Sequence, residues 1–159
     1  MDDGNTPANL LGLVCEGPAD ARTVKRLVER VLTDEVVWLL DQFDNVVGWR
    51  GVQGRHEFTT WSGSEGIKGL AKDRDIRVHG EFHGELGEGR GDALQTLKAI
   101  RLFRDAKIRE DVDGDLLAVF LIRDTDGVPK RKEAMERARE DSKASFEVVL
   151  GLPNTKRAC

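Results

Sequence analysis

The sequence predicts an α/β fold in which a mostly parallel central sheet carries helices on both faces. Patterns typical of strands and of helices alternate along the chain, as they do in open α/β sheets. Residues 116–122 are all apolar and rich in β-favouring types, which indicates a strand buried on both faces. The length of 159 residues fits one domain, spanning residues 1–159, with a full-sized core.

The first part of the chain predicts a strand, a helix and a second strand. Residues 10–15 form an apolar run that is closed by Glu16-Gly-Pro, which is typical of a buried strand ending in a tight turn. Pro18 suits the first turn of a helix, and apolar residues then recur at helical spacing as far as Leu32. The apolar run at residues 35–40 predicts the second strand.

Residues 48–91 predict an irregular, glycine-rich insertion. They hold most of the 17 glycines and all three histidines. Within them we expect a short helix at 65–72 and a strand at 76–79. His79 and His83 have the spacing of a zinc pair on a helix, but the surrounding glycines favour loop histidines.

Regular structure is predicted again from Asp92, a suitable N-cap for a helix that runs to residue 107. The buried strand at 116–122 follows, and Pro129 then opens a charged helix that runs to Lys143. Residues 145–150 predict the last strand. Trp38 is expected in the core, whereas Trp49 and Trp61 are open to two interpretations, stacking on nucleic-acid bases or partial burial.

Charge and cysteine content restrict the class of protein. A net charge of −4 argues against a non-specific nucleic-acid coat protein, although clustered metal-binding carboxylates would lower the charge of a nuclease too. Basic residues at 98–109 form a local strip that is either a nucleic-acid contact or a solvated helix face. Two cysteines without a framework spacing and no signal peptide predict a cytoplasmic protein, and no apolar run approaches membrane-spanning length.

Carboxylates follow two of the predicted buried strands. Glu16 ends the first, and Asp124 and Asp126 follow the later one. Ligands of open parallel sheets bind beyond the carboxyl ends of the strands, and three converging carboxylates repel each other unless a cation joins them. Ligands that are all oxygen select Mg²⁺ or Mn²⁺ rather than zinc.

The Asp-x-Asp spacing adds a geometric expectation. In extended backbone, residues i and i+2 face the same side, so Asp124 and Asp126 are expected to address one metal ion or two neighbouring ones. The alternative is that Asp-Thr-Asp-Gly127 simply makes a turn. Asp20, in the first turn of the predicted helix, either reaches the same site or interacts with the helix dipole.

Taken together, these motifs resemble those of the topoisomerase–primase (toprim) family. The resemblance rests on a strand that ends in Glu16-Gly-Pro-Ala-Asp20 and a later strand that ends in Asp124-Thr-Asp126-Gly. OLD-like nucleases and their small standalone relatives carry similar features. These are the extension of the first motif to an aspartate, here Asp20, and a Lys-Arg pair after the last strand, here Lys156-Arg157. Those relatives carry a glutamate and a tryptophan-containing helix next, whereas here Ala158 stands in the glutamate's place.

The resemblance implies a Rossmann-like toprim fold and Mg²⁺-dependent (or Mn²⁺-dependent) hydrolysis of a nucleic acid, with DNA favoured over RNA. It assigns Glu16 and Asp20 to one metal ion, Asp124 and Asp126 to the other, and Lys156 to charge on the phosphate. OLD-like toprim proteins often act with an ATPase in defence against phages. Because this sequence has no phosphate-binding loop motif, any ATPase would be a separate subunit.

Two other functions stay open at this point. The chain could be a toprim subunit that binds metal, nucleic acid or an ATPase but acts only with its partner, which the departure at Ala158 suggests. It could also act on the phosphate ester of a small nucleotide.

Overall fold

The computed structural model describes residue 7 and residues 9–78, 89–109 and 115–153. These residues form five strands and five α-helices. The strands are β1 (Asn9–Cys15), β2 (Val47–Arg50), β3 (Thr59–Thr60), β4 (Asp115–Ile122) and β5 (Glu147–Gly151). The helices are α1 (Pro18–Glu35), α2 (Phe43–Val46), α3 (Ile67–Asp73), α4 (Arg90–Arg109) and α5 (Pro129–Ser142).

The sheet is parallel in every pairing of the described strands, and its order is β2-β1-β4-β5. The short strand β3 also pairs with β1, beyond the end of β2. Strand β1 is therefore central, and β4 runs beside it from the pair Asn9↔Asp115 to the pair Val14↔Leu121. The prediction of an α/β fold with a mostly parallel sheet is confirmed.

Helices pack on both faces of the sheet. On one face, Leu13 and Cys15 of β1 pack against Ala21 of α1. On the other face, helices α3, α4 and α5 enclose the main core, which includes Val14, Val119, Phe103 and Met135. Gly12 faces this second layer, where the Phe103 ring lies so close that a β-carbon on Gly12 would stand 2.7 Å from it.

The predicted second strand at residues 35–40 is wrong. Helix α1 continues to Glu35, and Val37–Leu39 form a 3-10 helix. In this run Leu39 is buried, whereas Val37 and Trp38 are exposed. Trp38, with 63% of its surface exposed, is not the core residue that its apolar neighbours suggest. With a single buried residue, the run lacks the alternation of buried and exposed side chains that is typical of a strand with one face on the core.

The stretch 48–91 is only in part the insertion that its glycines predict. The second strand of the sheet, β2, occupies Val47–Arg50 and pairs with Asn9–Gly12 of β1. The short helix expected at 65–72 is confirmed as α3, at Ile67–Asp73. Residues 76–78 form no strand, and His79 and His83 lie outside the described residues.

Apolar side chains are exposed on and just after α1. Besides Val37 and Trp38, they include Leu27, Val31 and Leu40.

No helix among the described residues combines the length and the apolar character needed to cross a bilayer.

Candidate functional site at the carboxyl edge of the sheet

The two predicted acidic motifs follow neighbouring strands of the sheet. β1 and β4 are parallel, and Val14 of β1 pairs with Leu121 of β4. Glu16 comes two residues after Val14, and Asp124 comes three residues after Leu121. Both therefore leave the sheet at its carboxyl edge, where ligands of open α/β sheets bind.

Glu16 and Asp20 flank the turn from β1 into α1. Gly17 is the N-cap residue, Pro18 opens the helix, and the amide of Ala21 donates to the Gly17 carbonyl oxygen at 3.1 Å. Both carboxylates are exposed. Asp20 lies in the first turn of α1, where a negative charge is favourable.

The buried thiol of Cys15 lies within the electrostatic reach of both carboxylates. Burial raises the pKa of Cys15 to about 11, and the charges of Asp20 and Glu16 add to the increase. Hydrogen bonding with the backbone at Gly17 and Ala21 acts in the opposite direction. The thiol therefore stays protonated and is not a nucleophile at neutral pH.

The Asp-x-Asp segment is a turn rather than a continuation of the strand. Asp126 and Gly127 both have positive φ values, 49° and 73°. The amide of Val128 donates to the Thr125 carbonyl oxygen at 2.8 Å, so these two residues occupy the central positions of a turn of the type I′ kind. The Asp124 carboxylate accepts the amide N–H of Asp126 at 2.9 Å.

This turn corrects the expectation that Asp124 and Asp126 face the same side because the backbone is extended. The left-handed conformation of Asp126 breaks the two-residue alternation of a strand. The Asp126 carboxylate instead accepts a hydrogen bond from Nη1 of Arg131 on α5, at 3.1 Å. Each of the two aspartates thus has a partner within the protein.

The segment that carries the aspartates is fixed to the neighbouring strand β5 and the residues that follow it. The amide of Arg123 donates to the Gly151 carbonyl oxygen at 3.0 Å, and the amide of Thr125 donates to that of Pro153 at 3.1 Å. Thr125 is buried. The backbone of Asp124 is therefore held on both sides by its two neighbours.

A set of residues that the sequence did not suggest lies next to Asp124 and Asp126. The buried Asp92, in the first turn of α4, is an ion-pair partner of Arg123 and of Arg131. The Arg123 guanidinium lies over the Trp61 ring, 5.2 Å from its centre. Helix α4 begins at Arg90, so Asp92 lies inside the helix and is not its N-cap.

Of the basic strip at 98–109, two arginines serve as structural links. Arg101 donates to the Arg77 carbonyl oxygen at 2.8 Å. Arg104 donates to the carbonyl oxygens of Ser142 and Lys143, at 3.1 and 2.9 Å, at the end of α5. For these two residues the structure favours a packing role over a nucleic-acid contact.

The four predicted metal ligands are oxygen donors, the ligand type that divalent cations prefer, and they lie in the segments that follow β1 and β4. As the described residues stand, no three acidic, histidine or cysteine side chains are close enough together to hold a metal ion. To bind a cation, the Asp126 carboxylate would have to give up its contact with Arg131. Lys156 lies outside the described residues.

Comparisons with known proteins add no relative: the chain matches no family model, no curated protein and no solved structure.

Proposed function

We propose that this chain is a toprim-type nuclease that hydrolyses phosphodiester bonds of a nucleic acid with Mg²⁺ or Mn²⁺ held at the carboxyl edge of its sheet. The observation that carries the proposal is the parallel pairing of β1 with β4. It brings the ends of two strands more than one hundred residues apart in sequence to one edge, and both ends carry acids. An arrangement of this kind is what a metal-dependent phosphoryl-transfer site requires.

The proposed roles divide the four carboxylates into two groups. Glu16 and Asp20, around the start of α1, would hold one cation, and Asp124 and Asp126, in the turn after β4, would hold the other. Cations in such a site neutralise charge on the phosphate and on the attacking and leaving oxygens. The exposed positions of Glu16, Asp20 and Asp126 leave the edge open to a polymeric substrate.

The protein's own contribution is to fix the positions of these acids. The Asp124 backbone is tied to β5 and its extension through the neighbours Arg123 and Thr125, and Glu16 directly follows the buried end of β1. The acid groups thus stand on a rigid sheet edge, although one of them, Asp126, has to leave Arg131. A rigid frame is needed because small displacements of reacting groups reduce catalysis strongly.

The test is a calorimetric titration of Mn²⁺ into the metal-free chain, compared with a Glu16→Ala/Asp126→Ala double variant. The parent is expected to bind the cation and the variant to lose that binding. Asp34→Ala/Asp44→Ala is a matched control, because both acids are exposed and lie near the end of α1 and the start of β2, at the opposite edge. A parallel cleavage assay with labelled DNA and RNA decides the substrate, and an Asp126→Ala variant that cleaves like the parent defeats the proposal.

A second candidate function is a toprim subunit that needs a protein partner, such as a separate ATPase. It is favoured by the exposed apolar side chains of Leu27, Val31 and Leu40, together with Val37 and Trp38, because grouped exposed apolar residues commonly mark interaction sites. If the isolated chain binds no Mn²⁺ but does so in complex with its partner, this second function replaces the first.

A further inference from the structure

A buried carboxylate joins two guanidinium groups next to the acidic edge. Oδ1 of Asp92 lies 3.2 Å from Nη2 of Arg123, and Oδ2 lies 3.2 Å from Nε of Arg131. The Asp92 side chain is only 6% exposed, so its charge is well shielded from water. A buried carboxylate between two arginines holds them in fixed orientations, because their departure would leave an unpaired buried charge.

Both guanidinium groups lie beside the proposed metal ligands. Arg123 immediately precedes Asp124, and Arg131, in the first turn of α5, also contacts Asp126. Their side chains are partly exposed, at 22% and 31%, so a ligand at the sheet edge can reach them. Asp92 thus holds the two guanidinium groups on their buried side, while the exposed sides of Arg123 and Arg131 stay accessible.

Arg123 has a second support. Its guanidinium lies over the ring of Trp61, and the indole N–H of Trp61 donates to the carbonyl oxygen of Ile122, the residue before Arg123, at 2.8 Å. An arginine held between an aromatic face and a carboxylate keeps its planar donor group in one orientation. Such a group matches the geometry of phosphate oxygens.

Within the ion-pair cluster of Asp92, Arg123, Arg131 and Asp126, the charges cancel. Arg123 and Arg131 carry two positive charges, and Asp92 and Asp126 carry two negative ones. Of these four residues only Asp126 is exposed, and its contact with Arg131 is therefore the exchangeable one. A cation that binds Asp126 competes with Arg131 for the same carboxylate, and the guanidinium that loses Asp126 gains the capacity to bind another anion.

We propose that Arg123 and Arg131, oriented by Asp92, bind a phosphate group of the nucleic-acid backbone, and that Asp126 alternates between Arg131 and the divalent cation. The inference rests on the proposed function, since it names how the same edge recognises its substrate. It makes cation and nucleic acid positively coupled ligands, because each favours the state in which Asp126 has left Arg131. Coupling of this kind is reciprocal.

The experiment measures two affinities for each variant. The affinity for Mn²⁺ is measured by calorimetry, and the affinity for a fluorescent DNA oligonucleotide by anisotropy. The anisotropy titration is done once with Ca²⁺, to prevent cleavage, and once with EDTA. Arg131→Gln is expected to weaken oligonucleotide binding about tenfold, since one charge-assisted contact is lost, and to tighten Mn²⁺ binding several-fold, since Asp126 loses its competitor. Arg137→Gln, exposed on the same helix, is the matched control and should change neither affinity.

Arg131→Gln is thus expected to change the two affinities in opposite directions, whereas damage to the fold would weaken both. Arg131→Lys keeps the charge without the planar donor group and is expected to give an intermediate oligonucleotide affinity. Asp92→Asn, as a change to a positioning residue, is expected to weaken oligonucleotide binding. Unaltered oligonucleotide binding in both Arg131 variants would overturn the proposal.

Two further measurements test phosphate binding without the metal ion and identify the ligand. Asp126→Asn is expected to raise oligonucleotide affinity in EDTA, whether or not the parent binds Mn²⁺, so this measurement judges the phosphate pair when the proposed function itself fails. A mononucleotide should compete with the oligonucleotide only at far higher concentration. Equal competition by the mononucleotide would overturn the assignment to a nucleic-acid backbone.

Discussion

The indole nitrogen of Trp61 donates a hydrogen bond to the carbonyl oxygen of Ile122 at 2.8 Å. Trp61 follows β3, and Ile122 is the last residue of β4. The bond therefore ties the loop after β3 to the strand end that leads into the acidic turn. It also fixes the ring on which Arg123 rests.

Replacing Trp61 by phenylalanine should lower the free energy of unfolding by about 1–3 kcal/mol, because the hydrogen bond is lost and a partly buried carbonyl oxygen loses its partner. Urea denaturation measures the change. Trp38→Phe is the matched control and is expected to stay within about 0.5 kcal/mol of the parent, because Trp38 is exposed. Equal losses in the two variants would contradict this role for Trp61.

Arg104 should matter for stability and not for nucleic-acid binding. Arg104→Gln removes the donor that satisfies two carbonyl oxygens at the end of α5, and we expect it to cost about 1 kcal/mol of unfolding free energy. Lys107→Gln, exposed on the same helix, should be neutral. If Arg104→Gln kept full stability and lost oligonucleotide affinity instead, the basic strip would be a nucleic-acid contact after all.

Gly12 is required by close packing across the sheet. In Gly12→Ala, the new β-carbon would stand 2.7 Å from Cε1 of Phe103 and 3.0 Å from Cγ2 of Val119, so we expect a loss of about 1–3 kcal/mol from overpacking. A second change, Phe103→Leu, should cost less in the Gly12→Ala background than in the parent. Gly91→Ala is the control, since a β-carbon on Gly91 would have no neighbour within 4 Å and alanine is favourable within a helix.

Because Cys15 is buried, we expect the free energy of unfolding to fall at alkaline pH. The pKa of its thiol is raised by burial from 9.0 to about 11 in the folded chain, so the unfolded chain releases its proton first. The stabilising effect is full below pH 9 and is lost as the pH rises towards 11. At about 1.4 kcal/mol per pH unit, the loss reaches about 3 kcal/mol.

Denaturation of the parent and of Cys15→Ala at several pH values measures this contribution. The alanine variant should be the less stable of the two at neutral pH, because it leaves a small cavity. Its deficit should shrink between pH 9 and pH 11. A deficit that is independent of pH over this range would contradict the raised pKa.

The sequence predicts the strands that carry the candidate site, because β1 and β4 lie inside the sheet and their long apolar runs leave a clear pattern. It misplaces the second strand for the opposite reason. Val47-Gly-Trp-Arg50 is short and contains glycine and arginine. The segment 36–40 has the composition of a strand but forms a 3-10 helix in which only Leu39 is buried.

The residues around the acids were harder to predict. Nothing in the local pattern indicates that Asp92 is buried, because its partners Arg123 and Arg131 are more than thirty residues away along the chain. The turn at Asp126-Gly127 did carry a signal. Aspartate followed by glycine favours two successive positive φ values, and that preference already argues against an extended Asp-x-Asp.

The parallel order of the sheet has a consequence for biosynthesis. Parallel neighbours cannot be joined by a tight hairpin, and β1 meets β4 through pairs such as Asn9 with Asp115, which are 106 residues apart. A ribosome therefore completes most of the chain before the two acidic motifs can meet. A nascent polypeptide that ends before β4 carries Glu16 and Asp20 but neither Asp124 nor Asp126, so the sheet edge that joins the two motifs forms only late in synthesis.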